Sequence, residues 1–293
     1  MIIAKLMGGL GNQMFQYAFG NELASRNHTI LKLDTLFLLD RSIQNTKFVF
    51  RNYDLSIFNI SKEFATPNEV AGLSKRTGIR FAEKVLNKIL GTKKSYIREP
   101  SYRFHPAFLN APDNTYLEGY WQSEKYFSAT SDSLRKTDFT FREPLLDNSQ
   151  VLLKRIKETN SVCVHVRRGD FVLNSFHETI APSYYTDAER VLRSQVTDPY
   201  FFVFSDEIEW CRNNLSFTGN VCFVSDQYTG PKCQDYIRLM SACNHFIISN
   251  SSFAWWAVWL SNQKNNLVIA PLKWINGPEH RMADLIPKDW IRL

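Results

Sequence analysis

Several kinds of pattern are missing from this chain, and each absence narrows what it can be. The five cysteines, Cys163, Cys211, Cys222, Cys233 and Cys243, are odd in number and never spaced Cys-x-x-Cys, and four of them lie within or beside apolar runs. That usage predicts reduced thiols in a cytosolic protein and excludes a disulfide-stapled secreted scaffold. Consecutive basic residues never exceed two, as at Lys93-Lys94 and Arg167-Arg168. The dense basic stripe of a nucleic-acid reader is therefore wanting, and nucleic acid is not expected as a partner. The longest uncharged run, His245 to Gln263, is broken by Ser249-Asn250-Ser251-Ser252, which predicts a strand, a turn and a buried helix rather than a membrane span. The opening Met1-Ile-Ile-Ala-Lys5-Leu6 shows no basic segment followed by an apolar stretch and a small-residue cleavage site, so a cytoplasmic location is expected. No two aspartates are spaced Asp-x-Asp, and no second histidine follows His177-Glu178 at the zinc-protease spacing. Two common metal-holding patterns are thus absent, and no metal is expected.

What is present is the material of a well-cored globular protein. Hydrophobic residues make up 44% and aromatics 14% of 293 residues, enough chain for two ordinary domains and too apolar for disorder. The net charge of +6 suits anionic substrates or surfaces without choosing among them.

The stretch Ser161-Val-Cys-Val-His165-Val-Arg167-Arg168-Gly169-Asp170-Phe171 carries the strongest local signal. Its β-branched run reads as a strand buried on both faces, whose carboxyl end delivers charge to the crevice where open α/β sheets hold ligands. A guanidinium is a planar, permanently charged fork suited to phosphate, and the glycine behind it lets the backbone pass close to a ligand. The bland alternative is an arginine pair bridged to surface carboxylates. Successive side chains of a strand point to opposite faces, so His165 and Arg167 share one face. Arg168 is expected to pair with Asp170 or another carboxylate and to hold the loop.

Upstream, Ile2 to Leu6 predicts a strand, Gly8-Gly9-Leu10-Gly11-Asn12-Gln13 a turn, Met14 to Ala24 a helix, and Thr29 to Leu33 a second strand ending at Asp34. The order matches the opening of a dinucleotide-binding fold, with Gly9 and Gly11 as the first two glycines but Met14 in the third place. Such a turn can serve any anionic or hydroxylated ligand through its free N–H groups. Ile79 to Leu90 has apolar residues at helical spacing among basic neighbours. It predicts an amphipathic helix packed on its own domain, with peripheral membrane contact as the second reading. The segment Tyr116-Leu-Glu118-Gly-Tyr120-Trp121-Gln122-Ser-Glu124-Lys-Tyr126-Phe127 could stack a sugar ring or fill the core. Arg142 to Ser149 reads as a linker. Beyond it, apolar runs at Val162 to Val166, Tyr200 to Phe204, Val221 to Val224, Phe246 to Ile248 and Leu267 to Ala270 alternate with helix-length segments, the mark of βαβ units and a parallel sheet. Ser205-Asp206 and Ser225-Asp226 are ordinary caps. Ser251-Ser252 follows a strand and opens the helix Phe253 to Leu260, an arrangement suited to an anion.

Taken together, Gly8-Gly-Leu-Gly-Asn-Gln-Met-Phe-Gln-Tyr17, His165-Val-Arg-Arg-Gly-Asp-Phe171, Phe202-Val-Phe-Ser-Asp206 and Ile248-Ser-Asn-Ser-Ser-Phe-Ala-Trp-Trp256 resemble the bacterial α-1,2-fucosyltransferases of glycosyltransferase family 11. The likeness runs from Lys5 to Trp274, with Phe171 where tyrosine is common and Ala254 where serine is common. It implies an α/β fold of GT-B type, two Rossmann-like domains facing a central cleft: residues 1–148 on the acceptor side and 149–293 binding the donor. It implies further that GDP-fucose is a co-substrate, that no cofactor is needed, and that fucose passes with inversion to O-2 of a terminal galactose on a glycan acceptor. By the same resemblance Arg167 binds the donor diphosphate, His165 and Asp235 meet the guanine, Ser251, Ser252 and Phe253 hold the phosphates, and Asn12 stands at the reaction centre. Gly9 and Gly11 join the substrate-binding set.

With no Asp-x-Asp pair, Arg167 and the helix start at Ser252 take the role of the cation that stabilises a departing diphosphate. Direct displacement calls for a general base, for which Asp34, His105, Glu118 and His177 are the candidates. Three rivals stand beside this reading: a nicotinamide oxidoreductase built on Gly9, Gly11 and Asp34, a non-catalytic glycan-binding module, and a sibling transferase using another nucleotide sugar.

Overall fold

The computed structural model describes residues 1–42, 49–60, 63–74, 95–172, 179–261, 263, 265–276 and 284–293. The basic helix expected over Ile79 to Leu90, and His177, lie outside the described residues. The chain divides into two compact units, Met1–Arg142 and Glu143–Leu293.

In the first unit, β1 (Ile2–Lys5), β2 (Leu31–Asp34), β3 (Ser95–Arg98) and β4 (Thr115–Glu118) form a parallel sheet in the order β2-β1-β4-β3. Between β1 and β2 runs the helix α1 (Leu10–Arg26). It begins four residues before the predicted Met14, because the carbonyl of Gly9 already accepts the N–H groups of Asn12 and Gln13. Gly8 makes the entry turn at φ +75°, where a Cβ would meet the Asn12 side chain.

Helix α1 is buried on nearly every face, and its polar residues pay for that with specific partners. Gln13 donates to the carbonyls of Gly8 (2.9 Å) and Asn52 (2.8 Å) and accepts from the Asp54 N–H (3.0 Å). Gln16 accepts from Met7 N–H at 2.9 Å and donates to Gly119 O at 3.1 Å. Glu22 takes the Thr130 N–H and hydroxyl and pairs with Arg26 at 2.6 Å. The close helix-to-sheet approach that a third fingerprint glycine would supply is made instead at Gly20, where a Cβ would come within 2.7 Å of Leu31. Met14 is wholly buried.

Strands β3 and β4 were not foreseen. Each has only four residues, and β4 is the start of the aromatic-rich segment. That segment divides: Trp121, Tyr126 and Phe127 are core, with Phe19 4.8 Å from Trp121 and 4.6 Å from Tyr126 between ring centroids. Tyr120 is only half-buried. Among the described residues, the small helix α2 (Pro67–Ser74) packs on β3 and β4, with Val70 and Leu73 buried.

The second unit contains a six-stranded parallel sheet, made of the five strands that the apolar runs predict, β5 (Ser161–Val166), β6 (Tyr200–Ser205), β7 (Val221–Phe223), β8 (His245–Ile247) and β9 (Val268–Ala270), and the unforeseen two-residue β10 (Ile291–Arg292). Their order is β10-β9-β8-β5-β6-β7. All six residues of β5 are buried. On one face Val162, Val164 and Val166 join Phe201, Val203 and Ile247 under Tyr185, Ala188 and Leu192, the last three from α4 (Pro182–Arg193). The helix before β5, α3 (Asp147–Glu158), takes up the end of the segment read as a linker. The helices α5 (Ile208–Asn214), α6 (Gln234–Ser241) and α7 (Ser252–Leu260) follow. Tyr236 of α6 meets Phe204 edge-on at 5.4 Å. Full burial of one such apolar side chain contributes about 1.5–3 kcal/mol, so this sheet needs no disulfide, and all five cysteines are free.

The role of Gln16 is open to a direct test. Gln16→Leu keeps the volume but strips partners from Met7 N–H and Gly119 O, which should cost about 2–4 kcal/mol in urea unfolding. A loss within experimental error would show that water replaces both bonds.

Candidate functional site

The carboxyl ends of β5, β6 and β8 bring the predicted polar groups together. Register pairs Val166 with Ser205 and Val164 with Ile247, so residues just past Val166 lie beside Asp206 and those just past Ile247 beside His165. His165 Nδ1 is 2.9 Å from Ser249 Oγ, its ring is 6.1 Å from that of Phe253, and Tyr185 donates its hydroxyl to the His165 carbonyl. Burial, with the Arg167 charge as a lesser cause, lowers the His165 pKa to about 3. This imidazole is neutral at pH 7 and works as a hydrogen-bonding group.

Arg167 is gripped by two carboxylates, with Nη2 2.5 Å from Asp170 and Nη1 2.9 Å from Asp206. Its guanidinium lies 5.4 Å from the Phe171 ring centroid, which offers it an aromatic face. Gly169 packs against the Asp206 carboxylate, where a Cβ would come within 2.4 Å of Oδ2.

Arg168 turns elsewhere. Its Nε is 3.0 Å from Glu207, its guanidinium sits 3.7 Å over the Trp210 ring, and its N–H donates to Asp206 Oδ1 at 3.0 Å. The expected pairing with "Asp170 or another carboxylate" therefore resolves to Glu207. Asp170 belongs to Arg167, because the 3-10 turn Gly169–Phe171 folds position 170 back over position 167.

After β8, Ser251 is the N-cap of α7 and Ser252 its first residue; the Ser251 side chain makes no capping hydrogen bond. The helix start therefore offers N–H groups and hydroxyls together. Asp235, in the first turn of α6, is wholly buried. Its Oδ2 accepts the Leu146 N–H at 3.0 Å, while Oδ1 has no hydrogen-bond partner among the described residues. Gly230, at φ +63°, passes so near that a Cβ would lie 2.7 Å from the Asp235 carboxyl carbon.

Asn12, Gly9 and Gly11 belong to the first unit, at the start of α1, where Asn12 Oδ1 accepts from Gln122 Nε2 at 2.7 Å. Of the base candidates, Asp34 is spent on structure, taking the Tyr116 hydroxyl at 2.5 Å and the Leu36 N–H at 2.9 Å. Glu118 is paired with Lys5 at 3.1 Å and hydrogen-bonded by Tyr96. Burial pushes the Glu118 pKa up, but these two partners outweigh it and hold the carboxyl below its ordinary value. His105 is 3.3 Å from Ser101 Oγ.

Sequence reasoning missed Glu99. It follows the unpredicted β3 and lines a cavity of about 350 Å³ together with Met7, Arg98, Tyr102, Glu118 and Tyr120. Burial raises the Glu99 pKa to about 7 despite the N–H groups of Tyr120 and Trp121 that it accepts. No sequence pattern marks it, since its partners are backbone groups of another strand end.

With this geometry in place, comparison with known proteins is decisive. The profile of glycosyl transferase family 11 matches residues 1–293. The chain belongs to glycosyltransferase family 11. It is 34% identical to an alpha-1,2-colitosyltransferase of Escherichia coli, covering 100% of this chain and 99% of that one. It is 30% identical to the O-antigen biosynthesis glycosyltransferase WbnK of Escherichia coli, over 98% and 99% of the two chains. The crystal structure of NodZ alpha-1,6-fucosyltransferase soaked with GDP-fucose superposes at a TM-score of 0.50 with 14% identity, over 89% of this chain and 92% of that one. That likeness concerns the fold, and it agrees with the α/β, GT-B-type class expected from the sequence. Membership sets aside the nicotinamide reading of Gly9, Gly11 and Asp34, in keeping with an Asp34 whose two oxygens are both engaged.

Burial of a neutral His165 has a stability signature. The unfolded state takes up a proton near pH 6.5 and the folded state only near pH 3, so stability present above pH 6.5 is lost as pH falls, at up to about 1.4 kcal/mol per pH unit for this group. Chemical denaturation of the wild type and His165→Gln between pH 7 and 4.5 should show a shallower acid-side decline in the variant. Equal slopes would remove His165 as the cause.

Proposed function

We propose that this family 11 enzyme transfers L-fucose from GDP-fucose, with inversion, to O-2 of a terminal galactose on an oligosaccharide or surface-glycan precursor. The observation that carries the reading is Arg167, a fixed fork at the carboxyl end of a wholly buried strand, within a chain that matches the family from end to end. Departure of GDP concentrates negative charge on the β-phosphate. A guanidinium already oriented there, with the N–H groups of Ser252 and Phe253 at the start of α7, stabilises that charge as it forms and needs no metal ion.

The buried, unpartnered Asp235 Oδ1 suits the N–H donors of a guanine edge, and neutral His165 supplies a second hydrogen bond to the base. Residues 149–293 are thereby assigned the donor, and residues 1–148 the acceptor, with Gly9, Gly11 and Asn12 at the sugar. A relative named for O-antigen biosynthesis supports a surface-glycan precursor as acceptor and a cytoplasmic site of action. No described helix is long and apolar enough to cross a membrane. A second reading, transfer of another nucleotide-linked sugar, is favoured by the colitosyltransferase relative.

Incubation with GDP-fucose and a galactose-terminated disaccharide should yield a 2-O-fucosylated product, at the same rate in EDTA, and GDP but not UDP should raise the Tm. Product from a different GDP-sugar alone would replace the donor; loss in EDTA restored by Mn²⁺ or Mg²⁺ would overturn metal independence.

The two arginines should separate in kinetics. Arg167→Ala removes the contact that strengthens as diphosphate leaves, costing about 3 kcal/mol or roughly a hundredfold in kcat, and Arg167→Lys should recover little because a point charge does not reproduce the fork. Arg168→Ala should lower Tm with a smaller rate loss. A nearly wild-type Arg167→Ala beside a folded, inactive Arg168→Ala would reverse the assignment.

A further inference from the structure

The cavity of the first unit has the makings of an acceptor-sugar site with its own base. It opens at the carboxyl ends of β3 and β4, the edge at which a parallel sheet holds ligands, and its volume of about 350 Å³ falls within the range of small-molecule sites. Its walls are fixed from several directions. Gln16 ties Met7 to Gly119, Glu99 holds the Tyr120 and Trp121 N–H groups, and the Glu99 N–H donates to the Glu118 carbonyl at 2.8 Å. Trp121 is held in the left-handed region at φ +56°, a conformation that non-glycine residues keep only where neighbours impose it. On the cavity wall the Tyr102 and Tyr120 rings lie nearly parallel, 6.2 Å apart, giving flat apolar surface of the kind that packs on the C–H face of a sugar.

Two carboxylates line this one space in opposite electrostatic settings. Glu118 faces Lys5 and the Tyr96 hydroxyl and is held in its charged form. Glu99 is half-buried, with the backbone N–H groups of Tyr120 and Trp121 as partners. Carboxyl groups separated in this way divide their labour: one stays an anion that orients hydroxyls, and the other can gain and lose a proton near neutrality.

We propose that this cavity holds the terminal sugar of the acceptor, and that Glu99 is the catalytic base that takes the proton from its attacking hydroxyl. The inference rests on the transferase reading. In the step, the acceptor oxygen forms a bond to the anomeric carbon of the donor while the bond from that carbon to the diphosphate oxygen breaks. GDP departs with the bonding electron pair, and the hydroxyl proton moves to a Glu99 carboxylate oxygen. Glu118 and Arg98 are left to bind the neighbouring hydroxyls.

The plain alternative makes Glu99 a brace for the turn at Trp121, and the pH profile separates the two. Around Glu99 stand Lys5, Arg98, Glu118, Tyr102 and Tyr120, with His105 one contact further out on Ser101. Wild-type kcat/KM for the acceptor should rise with an apparent pKa near 7, the value that burial gives Glu99. Glu99→Gln should abolish that limb and lower transfer roughly 10²- to 10⁴-fold, with GDP affinity by calorimetry unchanged. Glu99→Asp should keep the limb at reduced rate, and His105→Gln should keep it too.

A wild-type profile flat from pH 5.5 to 8 overturns the proposal whether or not any variant folds. So does a Glu99→Gln enzyme that retains the limb, or a limb that vanishes in His105→Gln. Should GDP-fucose prove not to be the donor, the same comparison is made with the GDP-sugar that the wild type does transfer, so that the donor assignment and the role of Glu99 fail separately.

Discussion

A strand covered on both faces can carry no charge until it leaves the sheet, and β5 shows how much follows from that constraint. All six of its residues are buried, because helices must cover both sides of a parallel sheet. Of its polar side chains, Ser161 accepts the Asn244 N–H, and His165 is kept neutral by that burial and bonded to Ser249. The first charge appears one residue after the strand ends, at Arg167. Position in the sheet, rather than any property of arginine alone, places this guanidinium at a defined edge, where Asp170 and Asp206 hold it.

The first unit solves a related problem with neutral groups. Its central helix is nearly as buried as a strand, so Gln13 and Gln16 spend their amides on backbone groups of neighbouring loops. A buried amide satisfied at both ends fixes two chain segments in relation to each other at little electrostatic cost. This explains why a motif that begins as a glycine turn continues with glutamines: the glycines let the chain turn, and the glutamines hold what it turned into. The turn after β4 is held in this way from α1 and from Glu99 at once.

What could be read from the sequence depended on whether the responsible physics was local. The strands from Val162 to Ala270 announced themselves as apolar runs, and β1, α1 and β2 by their order, as did the doubled serine opening α7. Strand β10 has only two residues, β3 (Ser95-Tyr-Ile-Arg98) carries no apolar run, and β4 was hidden among aromatics whose core partners, Phe15 and Phe19, are distant in sequence. The alternation of β5, with Val162, Val164 and Val166 in one core cluster, followed from strand geometry. The partner of Arg167 did not, because a 3-10 turn that brings Asp170 back cannot be inferred from alternation. Met14 at the third fingerprint position looked like a defect; the close contact had moved to Gly20. Glu99 was invisible for the deepest reason, since its chemistry comes from burial and from N–H groups of a distant strand end.

The two carboxylates around Arg167 form a counterion shell within the fold itself. An incoming anion does not meet a bare cation; it enters an exchange in which Asp170 or Asp206 must give up part of its hold. Chloride or inorganic phosphate has only the arginine to gain, and it competes with two tethered rivals whose effective concentration is high. A larger anion that also engages the start of α7 or the buried Asp235 brings contacts those carboxylates cannot match. A ligand displacing either carboxylate would therefore have to contribute more than charge.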